Sequence, residues 1–209
     1  MRSKIALFLF GVFGLAAAGR SQPSLSFEVG LHWSFMPSDI DRAVGFRLTD
    51  QPEEVFTWGP SVQVVYSKDS LARLRPTVGV SYLWAKAMAV DVDVSGVSIP
   101  AELDQRFVPL TAGMQYEVFN GQWLSLSVDA QAGVGMVHQS LQFSDAIMGS
   151  ETTYKGAFAL GATISLIIPY RMMDRSMRVP IPFSFGITRL GPQTFFGVAA
   201  HIPIYTLGL

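Results

Sequence analysis

The sequence predicts an all-β fold, an eight-stranded antiparallel up-and-down transmembrane β-barrel. Three observations carry that prediction. Apolar and polar residues alternate with period two through eight separate stretches, the signature of strands with two unlike faces. Mean hydropathy is +0.33 with only 15% charged residues, yet no stretch beyond the first twenty residues is apolar for the length of a helical span. The four Trp and six Tyr gather near the ends of the alternating stretches, as two interfacial belts require.

The chain opens with Arg2 and Lys4, an apolar run over 5–15 and the small residues Ala16, Ala17 and Ala18. These are the three regions of an export signal in order, so residues 1–21 read as a signal peptide and 22–209 as the barrel. The first strand, 24–36, sets Leu25, Phe27, Val29, Leu31, Trp33 and Phe35 against Ser24, Ser26, Glu28, Gly30, His32 and Ser34. A helix would spread those apolar side chains around every side. The same alternation marks 56–66, 74–84, 108–118, 124–136, 154–168, 179–189 and 195–206. An even number of strands closes without a free edge, as a bilayer demands.

With both termini on the periplasmic side, the outer connections are 37–55, 87–106, 137–153 and 190–194, and the inner ones 67–73, 119–122 and 169–178. Three of the four outer connections exceed every inner one, which fits a membrane barrel. Asn120-Gly121 carries the strongest two-residue hairpin signal. Net charge is −1, which excludes a nucleic-acid binder driven by bulk electrostatics. With no Cys, the chain has no disulfides, thiolate metal sites or Cys nucleophiles.

Signal peptide, eight alternating strands, unequal loops and two aromatic belts together resemble the small bacterial outer-membrane barrels, most closely the OmpW family. OmpX-like and OmpA-barrel-like proteins are the nearest alternatives. The resemblance implies residence in the outer membrane of a diderm bacterium and passage of small hydrophobic molecules. Its implied partners are outer-membrane lipid, the barrel-assembly machinery and a small hydrophobic solute. The chain departs from the class at its end, Tyr205-Thr206-Leu207-Gly208-Leu209, where such barrels commonly close on an aromatic residue.

Strand parity sorts the interior by depth. The periplasmic half places Glu28, Arg75, Glu117 and Asp129 inward, a candidate polar plug. The outer half places Leu83, Phe107, Val137, Leu190 and Phe195 inward, a candidate apolar vestibule. An eight-stranded barrel is just wide enough to be filled by side chains or to hold one small ligand, so a filled core with a satisfied charge network is the other reading. Pro60 and Pro109 each remove a ladder donor in the outer half, which makes them candidates for a lateral opening beside Leu83 and Phe107. A bulge without passage is the alternative at Pro60.

Catalysis is not expected. No HExxH, GxSxG or phosphate-binding loop is present, and His32 with Ser34 is a pairing that one strand face produces by chance. Asp91, Asp93, Glu102 and Asp104 are expected to form a solvated outer surface rather than a calcium site. No cofactor or metal is expected. Three classes remain: a hydrophobic conduit, a structural or adhesive surface barrel, and a lipid-acting enzyme.

Overall fold

The structure is a computed structural model that describes residues 24–37, 42–50, 52–68, 73–143, 146–172 and 175–208. The segment expected to be a signal peptide, residues 1–21, lies outside the described residues. Strands make up almost everything described: β1 (Ser24–Pro37), β2 (Arg42–Ala43), β3 (Phe46–Asp50), β4 (Glu54–Ser67), β5 (Leu74–Ser81), β6 (Leu83–Val94), β7 (Val97–Asn120), β8 (Leu124–Phe143), β9 (Ala146–Met172), β10 (Arg175–Leu190) and β11 (Gln193–Gly208). β6 prolongs β5 beyond Tyr82, and the antiparallel order β1-β11-β10-β9-β8-β7-β5-β4 closes through a β1–β4 ladder. Among the described residues that makes eight staves and no free edge around the barrel.

The wall faces are those the parity predicts. Val29, Leu31, Trp33 and Phe35 of β1 are exposed outward, and equivalent positions on every stave continue an apolar band around the molecule. So much contiguous apolar surface is unstable in water and natural in lipid. Trp58 packs edge-on against Trp84 with ring centres 4.1 Å apart, and Tyr82 lies 5.7 Å from Trp84, at the end remote from the termini. Tyr116 and Trp123 mark the opposite end.

Strand ends differ from the sequence reading. Much of 87–106 and 137–153, expected as outer loops, is ladder: β6 pairs with β7 as far as Val94 opposite Val97, and β8 with β9 as far as Phe143 opposite Ala146. The 169–178 connection is likewise paired, with Arg175 opposite Met172. The turns follow suit. Ser95-Gly96 and Val44-Gly45 both have positive φ at both positions (56° and 84°, 52° and 83°), the pattern of a type I′ hairpin turn. The turn falls beyond Asn120-Gly121: Asn120 is still paired with Ser125, and Gly121 N donates to Leu124 O at 2.8 Å across Gln122 and Trp123.

The β2–β3 hairpin joins the sheet through β6 and folds across the outer mouth. Val44 at its tip lies over Gly149 of β9, where a Cβ would come within 2.7 Å of its Cγ1. Ala43 and Leu48 of this hairpin belong to the same buried apolar cluster as Phe107 and Phe195 inside the barrel.

Candidate functional site

The lumen divides into a polar inner half and an apolar outer end. In the inner half, Arg75 Nη2 donates to Glu117 Oε2 at 2.6 Å. Asn120 Nδ2 donates to the other Glu117 oxygen at 2.9 Å, so both carboxylate oxygens are engaged. Glu28 lines the same cavity of about 420 Å³ as Arg75 and Glu117. Three of the four proposed plug residues are therefore brought together.

Asp129 lies one level further out, in a second cavity of about 110 Å³ that shares Gln63 and Ser184 with the first. There Thr111 Oγ1 donates to Gln131 Oε1 at 2.6 Å, and Gln131 Nε2 donates to Asp129 Oδ2 at 3.1 Å. Two glycines give these side chains room. A Cβ on Gly161 would stand 2.7 Å from Asp129 Oδ1, and one on Gly197 2.4 Å from His32 Nε2. Both cavities exceed the space one water needs.

Ser61 Oγ lies 3.0 Å from His201 Nε2, a contact between two staves that alternation alone does not reveal. His32 and Ser34 do not form a pair. Ser34 is hydrogen-bonded to Thr57 at 2.6 Å, while His32 lines the middle cavity.

At the outer end, Leu83, Phe107, Val137, Leu190 and Phe195 all lie in one apolar cluster, each 2% exposed or less. Phe107 and Phe195 meet edge to face with centres 4.9 Å apart. The five residues thus meet as packed side chains beneath the β2–β3 hairpin. Gln105 stands beside them on β7, between Leu103 and Phe107. Gln105 is 0% exposed, and neither its Oε1 nor its Nε2 has a hydrogen-bond partner. An unpaired buried amide is costly to keep. Gln105→Leu is expected to stabilise the barrel by about 1–2 kcal/mol, seen as a higher urea midpoint at unchanged slope. A lowered midpoint would mean that the amide has a partner.

The wall beside this cluster is interrupted. Tyr82 N donates to Pro60 O at 2.9 Å, but Pro60 has no N–H to return to Tyr82 O. The ladders on either side of Tyr82 keep one register, Ser61 opposite Ser81 and Trp58 opposite Trp84. On the other flank, Val80 faces Leu110 and Leu83 faces Phe107, which sets Ser81 opposite Pro109. Antiparallel alternation turns Ser81 toward β7 when Tyr82 turns toward β4. Two successive carbonyls of one stave, facing opposite neighbours, therefore each meet a proline nitrogen. Both proline positions act on the same point of the wall, next to Leu83 and Phe107.

On the outer surface, Asp91 Oδ2 accepts from Ser98 Oγ at 3.1 Å and Asp93 Oδ1 from Gly96 N at 2.7 Å. Among the described residues, no three His, Asp or Glu side chains gather as a metal site would require.

No protein-family model matches the chain, and no curated protein does. Solved structures do match. The attachment invasion locus protein Ail of Yersinia pestis, solved with the heparin analogue sucrose octasulfate, aligns with a TM-score of 0.54 at 14% identity, over 89% of this chain and 99% of that one. Neisserial surface protein A aligns at 0.45 and 11% identity, over 89% and 99%. OprG of Pseudomonas aeruginosa aligns at 0.37 and 13%, over 88% and 98%. The fold is that of a small bacterial outer-membrane barrel.

Proposed function

We propose that this chain is an outer-membrane barrel of a diderm bacterium that carries no steady ion current and releases small hydrophobic molecules sideways into lipid. The observation behind this reading is the position of Pro60 and Pro109, which flank Ser81 and Tyr82 beside the apolar cluster. A hydrophobic solute that parts the packed side chains of Leu83, Phe107 and Phe195 has no favourable way further inward. It would have to displace the hydration of Asp129, Glu28 and the Arg75–Glu117 pair, and stripping such groups of partners costs several kcal/mol. Outward through the wall it meets lipid after breaking few hydrogen bonds. On this reading the partners are outer-membrane lipid, the barrel-assembly machinery and the solute. The reading includes no catalytic step, cofactor or metal.

Ion flow is closed at the apolar end on the same reading. Wild-type barrels in planar bilayers should show no sustained open-channel conductance above the bare membrane. Steady single-channel currents of porin size would exclude closure by the apolar cluster.

A second reading, surface display without transport, draws on the β2–β3 hairpin that covers the mouth and on the continuous cluster beneath it. The similarity in fold to an attachment invasion protein is compatible with it. Uptake of a hydrophobic probe separates the two readings. Proteoliposomes no faster than empty liposomes would favour display.

A further inference from the structure

We infer that the outward wall of β6 and β7, just above the Trp belt, is a binding site for the phosphorylated headgroup of an outer-leaflet glycolipid, held by Lys86 and Arg106 beside Trp84. One hydrogen-bonded rung of outward residues runs Trp33, Trp58, Trp84, Arg106 and His138 across β1, β4, β6, β7 and β8. Followed the other way from Trp33, the same rung passes Val198, Phe185, Ala162, Val128 and Tyr116. It ends at Leu74, the first residue of β5, at the end where the termini lie. The rung therefore climbs outward from Trp33 to His138. With strands tilted by about 40° and spaced about 4.8 Å, each stave adds roughly 3 Å of height. Arg106 accordingly sits about 3 Å above Trp84, and Lys86, two residues further along β6, about 5 Å above it.

That height is where an interfacial Trp gives way to lipid headgroups. The chemistry changes at the same level. Arg106 is 49% exposed at its side chain, and Lys86 is exposed on the strand that carries Trp84. Asp104 accepts from Arg106 Nε at 3.2 Å and from Nη2 at 2.9 Å. Asp104 engages two of the five guanidinium donors and Tyr82 also hydrogen-bonds the group, which together fix its plane and leave the remaining N–H for a phosphate. His138 is held beside them by Thr152 at 2.9 Å. Further out, the same face of the sheet carries Glu102, Asp91 and Asp93, which repel an anion. On β6 and β7, Lys86 and Arg106 thus stand at one narrow level between an aromatic belt and an acidic rim. A phosphate carried by a lipid meets this level by default, whereas a free anion gains nothing from the Trp belt below.

The test uses the full barrel refolded into phosphatidylcholine vesicles, with and without a few mole per cent of lipid A, the phosphorylated glycolipid of diderm outer leaflets. Thermal unfolding is read from the heat-dependent gel shift. Lipid A should raise the midpoint, and dephosphorylated lipid A or inorganic phosphate should not. Lys86→Gln with Arg106→Gln should abolish the rise, and Lys86→Gln alone should reduce it. Arg47→Gln, which removes an exposed cation further out on β3, should leave it intact. The site is overturned by a wild-type midpoint that ignores lipid A, by an equal rise with the dephosphorylated form or with inorganic phosphate, or by a rise that survives in both the single and the double variant. Equal loss in Arg47→Gln would likewise overturn it, as that would be bulk charge.

Discussion

Replacing Pro60 and Pro109 together with valine should slow uptake of a hydrophobic probe into proteoliposomes about thirtyfold. Each substitution supplies an N–H opposite a carbonyl that now lacks one, Tyr82 O for position 60 and Ser81 O for position 109. A ladder hydrogen bond contributes about 1 kcal/mol net, so two raise the cost of parting the wall by about 2 kcal/mol, a factor of about thirty in the opened population. The two single variants should each give about fivefold. The same change should raise the urea midpoint of the folded barrel, because the restored bonds also stabilise the closed wall. Unchanged uptake in a stabilised double variant would remove the lateral route and leave surface display as the better reading.

The parts of this fold that were legible are those dictated by lipid. A wall with lipid outside must place an apolar residue at every second position, so eight staves could be read from alternation alone, and the same parity sent Glu28, Arg75, Glu117 and Asp129 inward. Beyond the bilayer that pressure ends. Met88, Val90 and Val92 still alternate with Ala89, Asp91 and Asp93, but the outward face there is wet and acidic, and such a segment reads as a loop. Val44-Gly45 escaped notice as a hairpin turn because a β-branched residue resists positive φ. Contacts across the lumen were also hidden. Ser61 and His201 are 140 residues apart, and their meeting depends on the stagger of a closed barrel. The two prolines were legible one at a time as lost donors. That they serve adjacent residues of one stave follows only from the registers of β4 and β7 against β5 and β6.

Gly59 adjoins the interruption in the wall. The Tyr82 carbonyl lies over it, and a Cβ there would run into the carbonyl oxygen and stand 2.8 Å from its carbon. Both are backbone atoms of a neighbouring stave, so no side chain can turn aside to make room. Gly59→Ala must push β4 away from Tyr82 or twist that peptide, and overpacking of this kind costs about 3 kcal/mol. The variant is expected to unfold at clearly lower urea and, while folded, to take up hydrophobic probe faster than wild type, since the methyl group wedges the wall at its weakest point. The cost should shrink when Pro60 is valine. A new N–H at position 60 draws the Tyr82 carbonyl back into the ladder and off Gly59. In a double-mutant cycle the two substitutions should therefore couple by about 1–2 kcal/mol in the favourable direction. Strictly additive effects would show that the Tyr82 carbonyl does not move with the donor, and the link between the missing bond and the glycine would be lost.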